Sequence, residues 1–273
     1  MESVIPFSFF LNHLMVIAVT VNDNERKFIF DTGIGITVLT NVFAKSINAK
    51  TKGIYSGKRM SGQVISMPLT ELQKIKVGPI ERHEFTVGIL DTTGFPPELN
   101  EISGILSPDY FGDIIFTLDY ENSEILLREN ISKIEDLCEF VVPLDIDKTD
   151  HSISIFINAI TPSKKKVRLE LDSGSDILIL NDRFMDEMGI NTDDPHLKIL
   201  KGVDETGEDY VRYITALHGK FAISGAEEIF QLNPRVVFQD IVYDGLLGND
   251  FLRSYKVTID LKLGKIGFSH FGK

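Results

Sequence analysis

Two short strings in this chain join a carboxylate, a hydroxyl and a glycine: Asp31-Thr32-Gly33 and Asp172-Ser173-Gly174. They stand 141 positions apart (172 − 31). Each closes an apolar run of strand-forming composition, Phe28-Ile29-Phe30 before the first and Leu169-Glu170-Leu171 before the second. A second apolar run follows each glycine, which itself suits a tight turn. Each string therefore holds a carboxylate on a turn between two rigid elements. A lone Asp-Thr-Gly is a frequent loop tripeptide and says little. Two of them offer a pair of carboxylates for acid–base chemistry.

The offset of 141 extends well beyond the tripeptides. Phe43 falls on Phe184, Gly78 on Gly219, and Gly104-Ile105-Leu106 on Gly245-Leu246-Leu247. Asp109-Tyr110 falls on Asp250-Phe251, and Thr117-Leu118-Asp119 on Thr258-Ile259-Asp260. A constant offset of domain size means that one unit has been duplicated. Chance likeness between two β-rich halves would not hold one spacing throughout.

Paired Asp-Thr/Ser-Gly turns, each followed about 70 residues later by a glycine-apolar-apolar string, resemble the aspartic proteases. The string Gly245-Leu246-Leu247-Gly248-Asn249-Asp250-Phe251-Leu252 is similar to the bacterial retropepsin-like branch. Here it is carried as two fused lobes, in the bilobal arrangement of pepsin. The resemblance implies a mostly β, bilobal fold with lobes at 1–138 and 139–273. It also implies an aspartic endopeptidase needing no cofactor, with Asp31 and Asp172 as its catalytic pair. Two carboxylates about 3 Å apart cannot both ionise, so in that family one activates water while the other delivers a proton. Thr32 and Ser173 would brace the two turns across the lobe interface, with Gly33 and Gly174 forming the turns. Position 34 departs from the family pattern: Ile34 stands where Ser175 stands in the other lobe. The Ser175 hydroxyl is expected to donate near Asp172 while Ile34 offers Asp31 no donor, so the pair should hold its proton more tightly. The rival expectation, which Ile34 and Ser107 (opposite Gly248) keep open, is a weak or inactive peptide-binding protein of the same fold.

The elements that must position these turns read in order. Leu14 to Val21 and Lys27 to Phe30 form a hairpin, as do Ile153 to Ile160 and Val167 to Leu171. Short helices are expected over Asn41 to Ile47 and Asp182 to Met188, ended by Asn48 and Gly189. Glycine-rich segments follow, 53–62 and 202–207, and in the resembling family this region is the flap over the substrate. Tyr55, Ser56, Gly57, Val203 and Asp204 are its candidate residues. Asp109 and Asp250 suit helix-capping positions better than catalytic ones. Phe140 to Asp145 is expected to cross between lobes.

Composition bounds the remaining choices. The chain has 273 residues, 43% of them hydrophobic, and a net charge of −12. Both halves are acidic, which disfavours phosphate backbones and hence nucleic acid as a partner. A single cysteine, Cys138, allows no internal disulfide and favours a reducing compartment, so a cytoplasmic protein is expected, or an exported one if a leader has been removed. The apolar start is interrupted by Glu2, Pro6, Asn12 and His13, so neither a signal peptide nor a membrane span is expected. The six histidines show no metal-ligand spacing. A monomer acting on an extended peptide is the expectation, because one chain already holds both turns.

Overall fold

The computed structural model describes residues 2–128, 133–195, 197–203, 207 and 209–272. Both feeding hairpins are present. Leu14–Val21 pairs antiparallel with Asn24–Phe30, and Ile153–Ile160 with Lys166–Leu171. Asn22 and Asp23 turn the first tip with φ of 46° and 66°, a region that short polar side chains tolerate. The last three residues before each aspartate are buried, so both turns stand on core strands.

The architecture is mostly β and bilobal, in two sheets. A ten-stranded sheet lies wholly in the second half of the chain. The other, of thirteen strands, covers the first half and continues into the second through a shared floor. In that floor Phe140–Pro143, Lys265–Ser269, Lys256–Asp260, Ile115–Asp119, Glu124–Arg128 and Glu2–Phe10 are successive neighbours. Its centre is the antiparallel pair Lys256–Asp260 and Ile115–Asp119, in which Thr117 faces Thr258 with their hydroxyls 2.8 Å apart. These two residues differ in number by 141, so the pseudo-twofold of the duplication passes between them. Lys256 reaches across to the buried Asp119 at 2.9 Å. Within Phe140 to Asp145, expected to cross between lobes, Phe140–Pro143 is the outermost strand of the floor, paired on Lys265–Ser269.

Aromatic packing fixes the base of the first turn. Phe30 meets Phe111 and Phe116 at ring distances of 5.5 and 5.9 Å, and all three are fully buried. Burying each such ring contributes about 1.5–3 kcal/mol. In the second half Phe251, Tyr255 and Phe268 form an aromatic group at other positions. The helix Asn41–Ser46 is capped by the Thr40 hydroxyl, which accepts from the Phe43 amide at 3.2 Å. Its counterpart is two 3₁₀ turns, Asp182–Phe184 and Asp186–Met188. Asn48 and Gly189 end these segments with φ of 53° and 70°, as their types allow. Asp109 does not cap its helix: Ser107 does, accepting from the Asp109 amide at 3.4 Å, and Gly248 caps the other without a side chain. Asp109 instead pairs with Lys148 of the opposite half at 3.1 Å.

Candidate active site

Each turn is held by a parallel neighbour. Phe28 to Phe30 runs beside Gly104 to Leu106, and Leu169 to Leu171 beside Gly245 to Leu247. The amides of Asp31 and Asp172 donate to the carbonyls of Leu106 and Leu247, each at 3.1 Å. Gly104 and Gly245 are small because the next strand crosses against them: a Cβ would strike the carbonyls of Val38 and Ile179. The glycine-apolar-apolar strings are thus the second support of each aspartate.

The two turns then lock onto each other. The Thr32 hydroxyl donates to the Leu171 carbonyl at 2.7 Å and accepts from the Ser173 amide at 2.9 Å. The Thr32 amide donates to the Ser173 hydroxyl at 3.0 Å. Both side chains are buried, so every one of these groups would be costly to leave unpaired. Asn249 adds a further tie in the second half only. Its amide group donates to the carbonyls of Ser173 at 2.6 Å and of His13 at 3.0 Å, and its oxygen accepts from the Tyr120 hydroxyl at 3.0 Å. Position 108, its counterpart, is a proline.

Asp31 and Asp172 meet at the floor of a cleft of about 310 Å³. The Gly174 amide is shared, donating to Asp31 Oδ1 at 3.1 Å and to Asp172 Oδ1 at 2.9 Å. Asp31 Oδ1 also accepts from the Gly33 amide at 2.8 Å, and Asp172 Oδ1 from the Ser175 amide at 3.0 Å. The shared amide holds the two carboxyls side by side. Gly33 and Gly174 are required by this contact: a Cβ on Gly33 would lie 2.6 Å from Asp172 Oδ1, and one on Gly174 would strike Asp31. Burial pushes both carboxyls above their ordinary range. Asp172 rises well above it, because the charges of Asp31 and Glu170 add to burial. Both shifts favour proton binding by the pair relative to isolated carboxylates.

The Ser175 hydroxyl does not serve Asp172. It donates to the Ile177 carbonyl at 3.1 Å, and only the Ser175 amide reaches the carboxylate. Ile34 lies on the cleft wall beside Ile36, Val38, Met67 and Leu69. The asymmetry at this position is thus one of backbone donors and wall polarity, not of a hydroxyl on a carboxylate.

A hairpin of Gly53–Lys58 and Val64–Val77 roofs the cleft. Of its expected residues, Tyr55 and Gly57 line the cavity, with the Tyr55 ring lying over Gly57. Ser56 does not: strand alternation turns it to the exposed face. The roof reaches the far side, where the Met60 carbonyl accepts from the Val242 amide at 2.8 Å and the Met60 side chain joins Ile177, Ile179 and Leu246. The second half has a hairpin too, Lys198–Val203 with Asp209–Ala216. Val203 is exposed there and does not line the cleft, a correction to its expected place in a flap, and Asp204 lies outside the described residues. Ser152, Ser154, Glu170 and Tyr243 line the second wall and are additional to the residues expected from sequence. Glu170 carried a visible signal, a charge between two leucines in a run that is otherwise apolar.

A two-lobed β fold with paired Asp-Thr/Ser-Gly turns braced through their hydroxyls defines the class of acid-protease folds. Residues 17–110, about a third of the chain, match the family model described as aspartyl protease. That match contains the first turn, its hairpin and the roof. No curated protein matches the chain. Among the described residues no helix is long and apolar enough to cross a membrane.

Proposed function

We propose that the protein is an aspartic endopeptidase whose complete site is built within one chain by two lobes, 1–138 and 139–273. Asp31 and Asp172 act as one unit that shares a proton. The ionised carboxylate takes a proton from water as it attacks the scissile carbonyl. The protonated one gives its proton to the carbonyl oxygen, and later transfer to the leaving nitrogen completes cleavage. The observation that carries this reading is the single Gly174 amide donating to both carboxylates, which holds them side by side on turns braced by Thr32 and Ser173. Such rigid placement is what general acid–base catalysis by a pair requires.

The substrate is an extended peptide, its backbone pairing with the edge of the Gly53–Lys58 roof and its side chains entering the two walls. Because one chain supplies both carboxylates, a monomer suffices. The reading is tested by incubating the pure protein with a mixed peptide library at several pH values and reading new termini by mass spectrometry. Asp31→Asn and Asp172→Asn should each lower turnover by at least about 10²-fold, since neither carboxyl can be base and acid alone. A single variant that keeps more than about a tenth of the activity would sink the shared pair. Binding of peptides by the wild type with no new termini would favour the non-hydrolytic alternative.

A further inference from the structure

The cleft has two unlike walls. On the first-half side Ile34, Ile36, Val38, Ile65, Met67 and Leu90 present apolar groups to the cavity. On the second-half side Ser152, Ser154, Glu170 and Tyr243 present hydroxyls and a carboxyl. Glu170 stands two residues before Asp172 on a core strand, and it is only 6% exposed. Ser154 and Tyr243 line the same wall beside it.

Buried with no cation beside it, such a carboxyl favours its neutral form, and a cation brought against it would draw out the ionised form as a pair. Among the described residues, no cation forms an ion pair with Glu170. The nearest candidate, Arg168, is already engaged, with Asp145 at 3.3 Å and Asp147 at 3.0 Å, and its guanidinium stacks 3.6 Å over Phe156. Lys58 and Arg59 of the roof line the same cleft, and neither is ion-paired with Glu170. Nor does Glu170 join the two aspartates in a metal site: among the described residues no three acidic, histidine or cysteine side chains are grouped to hold an ion. The symmetry-related residue, Ile29, carries no charge and packs with Val16 and Ile102. The fold therefore needs no carboxyl at this position, and a cationic side chain entering the cleft with a peptide would meet it.

We infer that Glu170 is a specificity-determining residue that selects peptides with a lysine or arginine next to the scissile bond, on the side of the second wall, while the first wall takes an apolar side chain. This rests on the reading of the cleft as a peptide site. An apolar side chain placed against Glu170 would leave the carboxyl buried and unpaired, so the same group that attracts a cation rejects its aliphatic analogue.

The test uses binding and cleavage together. Two fluorescein-labelled decapeptide pools, identical apart from lysine or norleucine at the central residue, are titrated against the full-length Asp31→Asn variant by fluorescence anisotropy. The lysine pool should bind at least about tenfold more tightly. Adding Glu170→Ile should abolish or invert that preference, and Glu170→Gln, which keeps the shape, should weaken it if the isoleucine variant fails to fold. In the cleavage library, wild-type termini should be enriched in lysine or arginine on one side of the cut, and Glu170→Ile termini in aliphatic residues. Equal binding of the pools, binding of neither, or a lysine preference that survives both substitutions overturns the inference. A lysine preference in binding without cleavage by the wild type would leave the inference standing and remove the hydrolytic reading instead.

Discussion

Two matching patches on the strands that feed the aspartates have diverged, one staying apolar and the other becoming polar and lining the cleft. Val16, Ile29 and Ile102 form an apolar cluster with Leu14 and Ile105 in the first half. The matching patch of the second half, found from the offset and the hairpin pairing, holds Phe156, Glu170 and Tyr243 with Ser154 and Leu246. Beneath them the turns share their main supports: the same carbonyl behind each aspartate, a glycine against the opposite carboxyl, and an amide-to-hydroxyl bond across the interface. The comparison teaches that the chemistry tolerates little change while the recognition surface is free to change. Two copies in one chain allow what a symmetric dimer forbids, which is to alter one wall without the other.

The largest effect that separates the patches is on stability against pH. Burial, with the charges of Asp31 and Asp147 outweighing Arg168 and the Ser154 bond, raises Glu170 to about 8 from 4.5. Between these values the unfolded chain gives up the Glu170 proton while the folded chain keeps it. Proton binding then favours the folded state, and this contribution is lost as pH rises from about 4.5 through 8. Glu170→Gln should remove that slope, so the wild type should lose on the order of a few kcal/mol more than the variant between pH 5 and pH 8.5 in urea melts. Ile29→Val, at the matching position of the first half, should shift stability by about 1 kcal/mol at every pH and leave the slope unchanged. Equal slopes for wild type and Glu170→Gln would mean that Glu170 is not held protonated.

How the sequence showed one wall and hid the other follows from the same asymmetry. The turns, feeding hairpins and glycine-apolar-apolar strands were legible because backbone geometry demands particular residues at fixed spacing. Asp31, Gly33 and Gly104 recur as Asp172, Gly174 and Gly245 for that reason. The second wall was hidden because Ser152, Ser154, Glu170 and Tyr243 come from separate strands and loops, which only tertiary pairing brings together. The hairpin Lys220–Ile223 with Ala226–Leu232 was hidden too, since Glu227 and Glu228 interrupt its apolar pattern on an exposed edge. The role of Ser175 was misread for a local reason: a hydroxyl two residues from a carbonyl bonded its own backbone at Ile177 in preference to the nearby carboxylate.

A smaller effect should distinguish the two hydroxyls of the brace. Thr32 Oγ1 both donates to Leu171 and accepts from the Ser173 amide, whereas the bond seen at Ser173 Oγ is the one it accepts from the Thr32 amide. Thr32→Val leaves a buried carbonyl and a buried amide unpaired, and Ser173→Ala leaves one amide. At about 1–3 kcal/mol for each orphaned group, Thr32→Val should destabilise more by roughly that amount. Chemical denaturation of both variants measures the difference, and equal losses would show that the brace is more symmetric than its bonds suggest.

The smallest effect belongs to Ile34, and it separates a wall residue from a residue that tunes the aspartates. Were a hydroxyl at this position a donor to the carboxylate, Ile34→Ser would lower the proton affinity of the pair and move the alkaline limb of the kcat/KM profile downward. Ser175 shows what a serine in this turn does instead: its hydroxyl turns to the carbonyl two residues on, and its amide alone meets the aspartate. An amide is present whatever the side chain. Serine at position 34 should therefore bond the Ile36 carbonyl and leave the limb within about 0.3 pH units of the wild type. What it should change is binding, because it removes an apolar group from the first wall. Truncating a wall residue of this kind costs roughly 1–2 kcal/mol of substrate contact, read as a several-fold rise in KM for peptides with an apolar residue on that side. A downward shift of the limb by half a unit or more, with KM unchanged, would return Ile34 to the role of setting the proton affinity of Asp31.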